Sequence, residues 1–114
     1  MMRRLPSALI IVAIAGLLCS VASPGFAQNP RYIVSQKGRQ FHPQELTIKR
    51  GQTIQIVNDD GDLRHHAYIK SPTFNFDSGD QEPGSKTNIT FPVRGTFDIR
   101  CAIHPKMLLV VHVK

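Results

Sequence analysis

At 114 residues the chain has room for one small domain, and its net charge of +6 comes from lysines and arginines scattered along its length. No basic run is interleaved with aromatic residues, which excludes the usual footprint of a nucleic-acid binder. A mildly basic surface favours encounter with an acidic partner instead, an attraction that weakens with salt.

In chain order, Arg3 and Arg4 form a short basic head, residues 8–21 are apolar, and Pro24-Gly-Phe-Ala27 ends on small residues. This is the layout of a secretory signal peptide over residues 1–27, leaving residues 28–114 as the mature domain. The apolar run falls short of the roughly 18–20 residues of a spanning helix, so a retained membrane anchor is the weaker reading. The arginine pair lacks the fuller context of a twin-arginine leader, which points to general secretory export. Cys19 follows Leu17-Leu18 rather than a small residue, which argues against lipidation. The expectation is a periplasmic or otherwise exported protein with no stable membrane insertion after cleavage.

The mature segment reads as short strands punctuated by Gly, Pro and Asn-Asp turns, without a helical period. Tyr32–Ser35 is the first. In Glu45–Lys49 alternation places Leu46 and Ile48 on one face, and Arg50-Gly51 turns into Thr53–Val57, where Ile54 and Ile56 share a face. Phe41-His-Pro43 is expected to be a turn, and Asn58-Asp-Asp-Gly61 is a strong loop signal. His66–Lys70 is the next strand, followed by a Pro/Gly/Asp-rich stretch from Ser71 to Ser85. Lys86–Phe91, Thr96–Cys101 and Leu108–Val113 complete the set. Seven to eight short strands at this spacing predict an all-β antiparallel sandwich or barrel.

A single cysteine, Cys101, survives in the mature chain, so no internal disulfide can form in an oxidising compartment. Such a thiol needs another use. On its strand Thr96, Asp98 and Arg100 should face solvent, which turns Cys101 inward with Phe97 and Ile99. A buried inert cysteine would be the plain interpretation, but His104 and Met107 follow on the same short loop, stiffened by Pro105. Thiolate, imidazole and thioether at two-residue gaps form a soft donor set. With a second histidine they give the two-His, one-Cys, weak-axial-Met arrangement of electron-transfer copper. Zinc would more usually take a fourth strong ligand. A Cys–His catalytic dyad lacks an orienting residue and a chain large enough for a substrate cleft.

The second histidine is His65 or His66. Ala67 and Ile69 share parity with His65, whereas Tyr68 and Lys70 share parity with His66, so His65 should point inward and His66 outward or into a local bond. The candidate metal ligands are therefore His65, Cys101, His104 and Met107. His42 is expected in a turn and His112 toward solvent, with Phe74, Phe76, Phe91 and Phe97 in the core.

These residues carry a family resemblance. Phe41–Gly51, Ile56–Asp59, the histidine strand, Phe91–Gly95 and Cys101–Met107 make the mature chain similar to a cupredoxin, a type 1 blue copper protein of the plastocyanin/amicyanin type. The gaps between Cys101, His104 and Met107 most resemble amicyanin, whose ligand loop is the short form. The resemblance also puts the ligand at His65, with His66 standing where the family usually has asparagine. It implies an eight-stranded Greek-key sandwich, one type 1 copper ion, and one-electron shuttling between larger redox proteins.

The functional expectation is an electron carrier rather than an enzyme, acting as a monomer on transient partners such as a dehydrogenase, cytochrome or oxidase. His104 is the expected exit for the electron, with Pro105, Met107 and Leu63 around it as an apolar docking patch. The competing reading is copper storage or delivery without electron transfer.

Overall fold

The computed structural model describes residues 32–114, and the expected signal peptide lies outside them. Among the described residues nine strands follow one another: β1 Tyr32–Lys37, β2 Gln40–His42, β3 Glu45–Ile48, β4 Thr53–Asn58, β5 Ala67–Ile69, β6 Phe76–Asp77, β7 Lys86–Thr90, β8 Gly95–Cys101 and β9 Leu108–Val113. They form two sheets, β2-β1-β4-β7 and β3-β9-β8-β5-β6, packed as the expected all-β sandwich.

Two strands exceed the sequence reading, and both are very short. Phe41-His-Pro43, expected as a turn, supplies β2, which pairs with β1 in a hairpin. The two-residue connection works because Gly38 and Arg39 both adopt positive φ, 62° and 57°, the twist-matched geometry for a tight hairpin. β6 lies inside the Pro/Gly/Asp-rich stretch and pairs with β5 at the sheet edge.

The sheets are mixed rather than antiparallel throughout. β1 runs parallel to β4, and β3 runs parallel to β9. Alternating hydrophobicity reports which face is buried but not the direction of the neighbouring strand. That is why the pattern found the strands and missed the two parallel pairings.

Face assignments from alternation agree with the observed burial. Ile54, Ile56, Ile89, Phe97, Ile99 and Cys101 all turn inward, whereas Thr96 and Asp98 are exposed. Phe91 is buried as well, and Phe74 and Phe76 pack against the core half-buried. Burying Leu, Ile or Phe side chains in this way contributes roughly 1.5–3 kcal/mol each relative to exposure.

One pairing decides where the site forms. β5 and β8 run antiparallel with Ala67 opposite Cys101. The residues just before β5 therefore lie beside those just after β8, which brings the histidine pair to the loop that follows the cysteine. The Ala102 N–H donates to the His66 carbonyl at 2.9 Å and fastens the two segments together.

Candidate metal centre

Cys101 ends β8 on its inward face and is 1% exposed. His65, fully buried, precedes β5 and is bridged to Gln81: its N–H donates to the Gln81 carbonyl at 3.0 Å, and the Gln81 N–H donates back at 2.7 Å. His104 sits half-buried on the loop between β8 and β9. The Cys101 Sγ lies 3.8 Å from Nδ1 of His65 and 3.8 Å from Nδ1 of His104. The two rings stand with centroids 5.1 Å apart, tilted by 59°. All three donor atoms fall within 4.8 Å of one another.

Met107 is 2% exposed at the end of the loop, and its N–H donates to the His104 carbonyl at 3.0 Å. Its side chain is thus inside the protein, on the inner wall of a groove, and adds little to the expected docking patch. Ile103, 45% exposed beside His104, supplies apolar surface there that the sequence reading overlooked. The groove, about 740 Å³, runs along β2 and the loop, with Arg39 and Lys106 among its lining residues.

His66 turns away from the cluster. Its Nε2 lies 2.6 Å from Asp77 Oδ1, and its Nδ1 lies 3.5 Å from Asp80. Its backbone nevertheless serves the site, because the His66 N–H points at the Cys101 sulfur at 3.4 Å. A main-chain donor supplies the hydrogen bond to sulfur, so the departure from asparagine at this position costs that contact nothing. His42 closes the β1–β2 hairpin by bonding the Lys37 carbonyl at 3.1 Å. His112 is half-exposed on β9, bonded to Glu45 at 2.6 Å and to Thr96 at 3.2 Å.

The polar support of His65 was not legible in the sequence. Asp60, in what read only as a loop signal, is 8% exposed and places Oδ2 2.6 Å from His65 Nε2. Burial alone would raise its pKa, but hydrogen bonds from the Gly38 amide and His65, with the charges of His65 and Lys37, leave it below the ordinary carboxylate value. An ionised carboxylate only accepts, so Nε2 carries a proton, and Nδ1 is the ring nitrogen on the side of the sulfur. Gln36, Asn58 and Gln81 continue the buried network. Gln36 Nε2 donates to Gln81 Oε1 at 2.8 Å, and Asn58 Nδ2 donates to the carbonyls of Leu63 and Gln81 at 2.8 and 2.9 Å. No alternation rule finds such residues, because loops carry no period.

Burial chiefly, helped by His65 and Arg39, holds the pKa of His104 below the ordinary histidine value. The neutral ring, which keeps a free lone pair for a cation, is favoured by that shift. Bonds of about 2.0–2.3 Å to imidazole and thiolate, meeting at a wide angle, span the 3.8 Å between the sulfur and each Nδ1. One cysteine sulfur and two imidazole nitrogens converging on one point fit a soft first-row ion.

The class follows from this fold and this donor set. A match to the cupredoxin-like domain family spans residues 8–111, and the chain belongs to that family. The group that the family and the donors fit is copper. Among solved structures, the copper-containing nitrite reductase of Thermus scotoductus SA-01 is 30% identical, with a TM-score of 0.67 over 73% of this chain. The chain spans only 22% of that reductase. A reduced amicyanin variant is 21% identical with a TM-score of 0.69, covering 75% of this chain and 84% of its own. An amicyanin variant in the Cu(I) state is 21% identical with a TM-score of 0.67, covering 73% and 81%. At these identities the amicyanins speak for the fold. No curated protein matches the chain.

Proposed function

We propose that the protein is an exported one-electron carrier with a mononuclear type 1 copper site, which His65, Cys101 and His104 would hold with Met107 as a fourth, weaker donor. The observation that carries this reading is the meeting of one buried sulfur and two imidazole Nδ1 atoms, drawn from two segments far apart in sequence. Copper bound there supplies a couple between +1 and +2.

The chain's own residues do the rest. Burial of Cys101 and His65 excludes water, and the His66 amide stabilises charge on the sulfur. Strand β8 holds Cys101 and the bridge to Gln81 holds His65, so little needs to move when the charge changes. His104, on the loop and next to exposed Ile103, is the way out for the electron. A small contact around it suits brief encounters with a dehydrogenase, cytochrome or oxidase. Arg39 and Lys106 favour an acidic partner face.

The protein acts as a monomeric carrier, not an enzyme, in the periplasm or another exported location, after removal of residues 1–27. The signal layout of those residues supports the export. Among the described residues no helix is long and apolar enough to cross a membrane.

The deciding experiment is the absorption spectrum of the Cu(II)-reconstituted protein, expected to show an intense visible band that Cys101→Ser abolishes. A band of undiminished strength in that variant would remove the assignment.

A further inference from the structure

We infer that the Asp60 carboxylate is a positioning residue for the metal centre, holding His65 as the Nδ1-donating tautomer and biasing the site toward the oxidised ion. This rests on the one-electron copper reading above. His65 could present either nitrogen to a cation, and the two faces of its ring are chemically alike until something distinguishes them. Asp60 Oδ2, 2.6 Å from Nε2, makes that distinction by accepting a hydrogen bond from the Nε2–H.

The carboxylate is itself immobilised on every side. Its Oδ1 accepts the Gly38 N–H at 3.0 Å, and its own N–H donates to Asn58 Oδ1 at 3.0 Å. Asn58 is fixed by its bonds to the Leu63 and Gln81 carbonyls. Gly38 reaches Asp60 from the tight β1–β2 hairpin, whose two positive-φ residues set the direction of its amide. The main chain of His65 is tied to Gln81 in both directions, which fixes the backbone from which the ring reaches Asp60.

A negative charge one ring away from the cation makes the imidazole a stronger donor and favours the higher oxidation state. The interaction is poorly screened because His65 is fully buried and Asp60 only 8% exposed. His104 has no carboxylate partner among the described residues. The site is therefore lopsided, with one histidine anchored through a charge and the other left to the loop.

The test uses the full protein with Asp60→Asn, which keeps the side chain's size and removes its charge. In the copper-loaded variant the visible band should remain. The preference for Cu(II) over Cu(I) should fall about tenfold, which for one electron is a rise in reduction potential of about 59 mV. A purely structural role for Asp60 would leave the potential where it was, and that result overturns the inference. In the native sequence, metal-free and zinc-loaded, nitrogen-resolved NMR should find the His65 proton on Nε2, shifted downfield and slow to exchange. A bare or rapidly exchanging Nε2 overturns the inference too, and this measurement decides alone if the variant does not fold. Absence of an intense visible band in the native protein would instead sink the copper-carrier reading, while the Nε2 proton would still judge the role of Asp60.

Discussion

At one end of the sandwich Phe74 meets Phe91 and Phe97 edge to face, with centroids 5.5 and 5.8 Å apart. At the other end Gln36, Asn58, Asp60, His65 and Gln81 are all buried and are joined by hydrogen bonds beneath the sulfur of Cys101. The aromatic end is held by shape and area, which many apolar sequences can supply. The metal end is held by partners that must match one by one, since an unpartnered buried polar group costs about 1–3 kcal/mol. Stability should therefore come from both ends, and the properties of the metal from one.

The largest expected effect tests that separation directly. Phe91→Ala removes a fully buried ring and should cost about 3–5 kcal/mol in urea unfolding, while leaving the visible band and the reduction potential of the copper form unchanged. A shifted band would mean that the aromatic end sets the geometry of the site, and the comparison between ends would fail.

The contrast also runs within the metal end. Removing His65 leaves the buried Asp60 carboxylate without its charged or dipolar partner, so His65→Ala should destabilise the metal-free protein by about 3 kcal/mol. His104 stands half-buried on a loop, and His104→Ala should cost about 0.5 kcal/mol or less in the same state. Added imidazole should restore the visible band to the His104 variant, whose gap opens to solvent, and not to the His65 variant. Equal losses of stability in the two metal-free variants would show that the anchoring network does not discriminate between them.

How much of this could be read from the sequence follows the same division. Alternation in Thr96–Cys101 was enough to turn Cys101 inward, and the parity of Ala67 and Ile69 was enough to choose which histidine faces the sulfur. Strand periodicity is a strong signal because one slip of register would expose a whole hydrophobic face. Asp60 and Gln81 were invisible for the opposite reason. Both lie in segments rich in turn residues, where a polar side chain is expected to face water, and only the folded chain brings Gly38, Asn58 and His65 around them. Direction was equally hidden, because β1 and β3 alternate in the same way beside a parallel or an antiparallel neighbour.

The smallest expected effect lies just outside the metal end, where Asp77 faces His66. Hydrogen bonds from the Gly79 amide and from His66 hold the Asp77 carboxyl below its ordinary pKa, against the opposing effect of desolvation. Asp80 and Arg64 stand nearby, with Arg64 3.6 Å from Asp80. A carboxylate whose pKa is depressed by folding adds stability above its unfolded pKa and loses it as pH falls through the folded value. Asp77 is well exposed, so its contribution is screened and small. Melting temperatures of the native protein and of Asp77→Asn should therefore differ slightly at neutral pH, with the native protein higher, and converge as the pH drops below the ordinary carboxylate range. The copper spectrum should not respond, because the group that His66 offers to Cys101 is its backbone N–H and not the ring that Asp77 holds. A spectral change in Asp77→Asn would place the His66 side chain inside the metal end and move the boundary between the two regions outward.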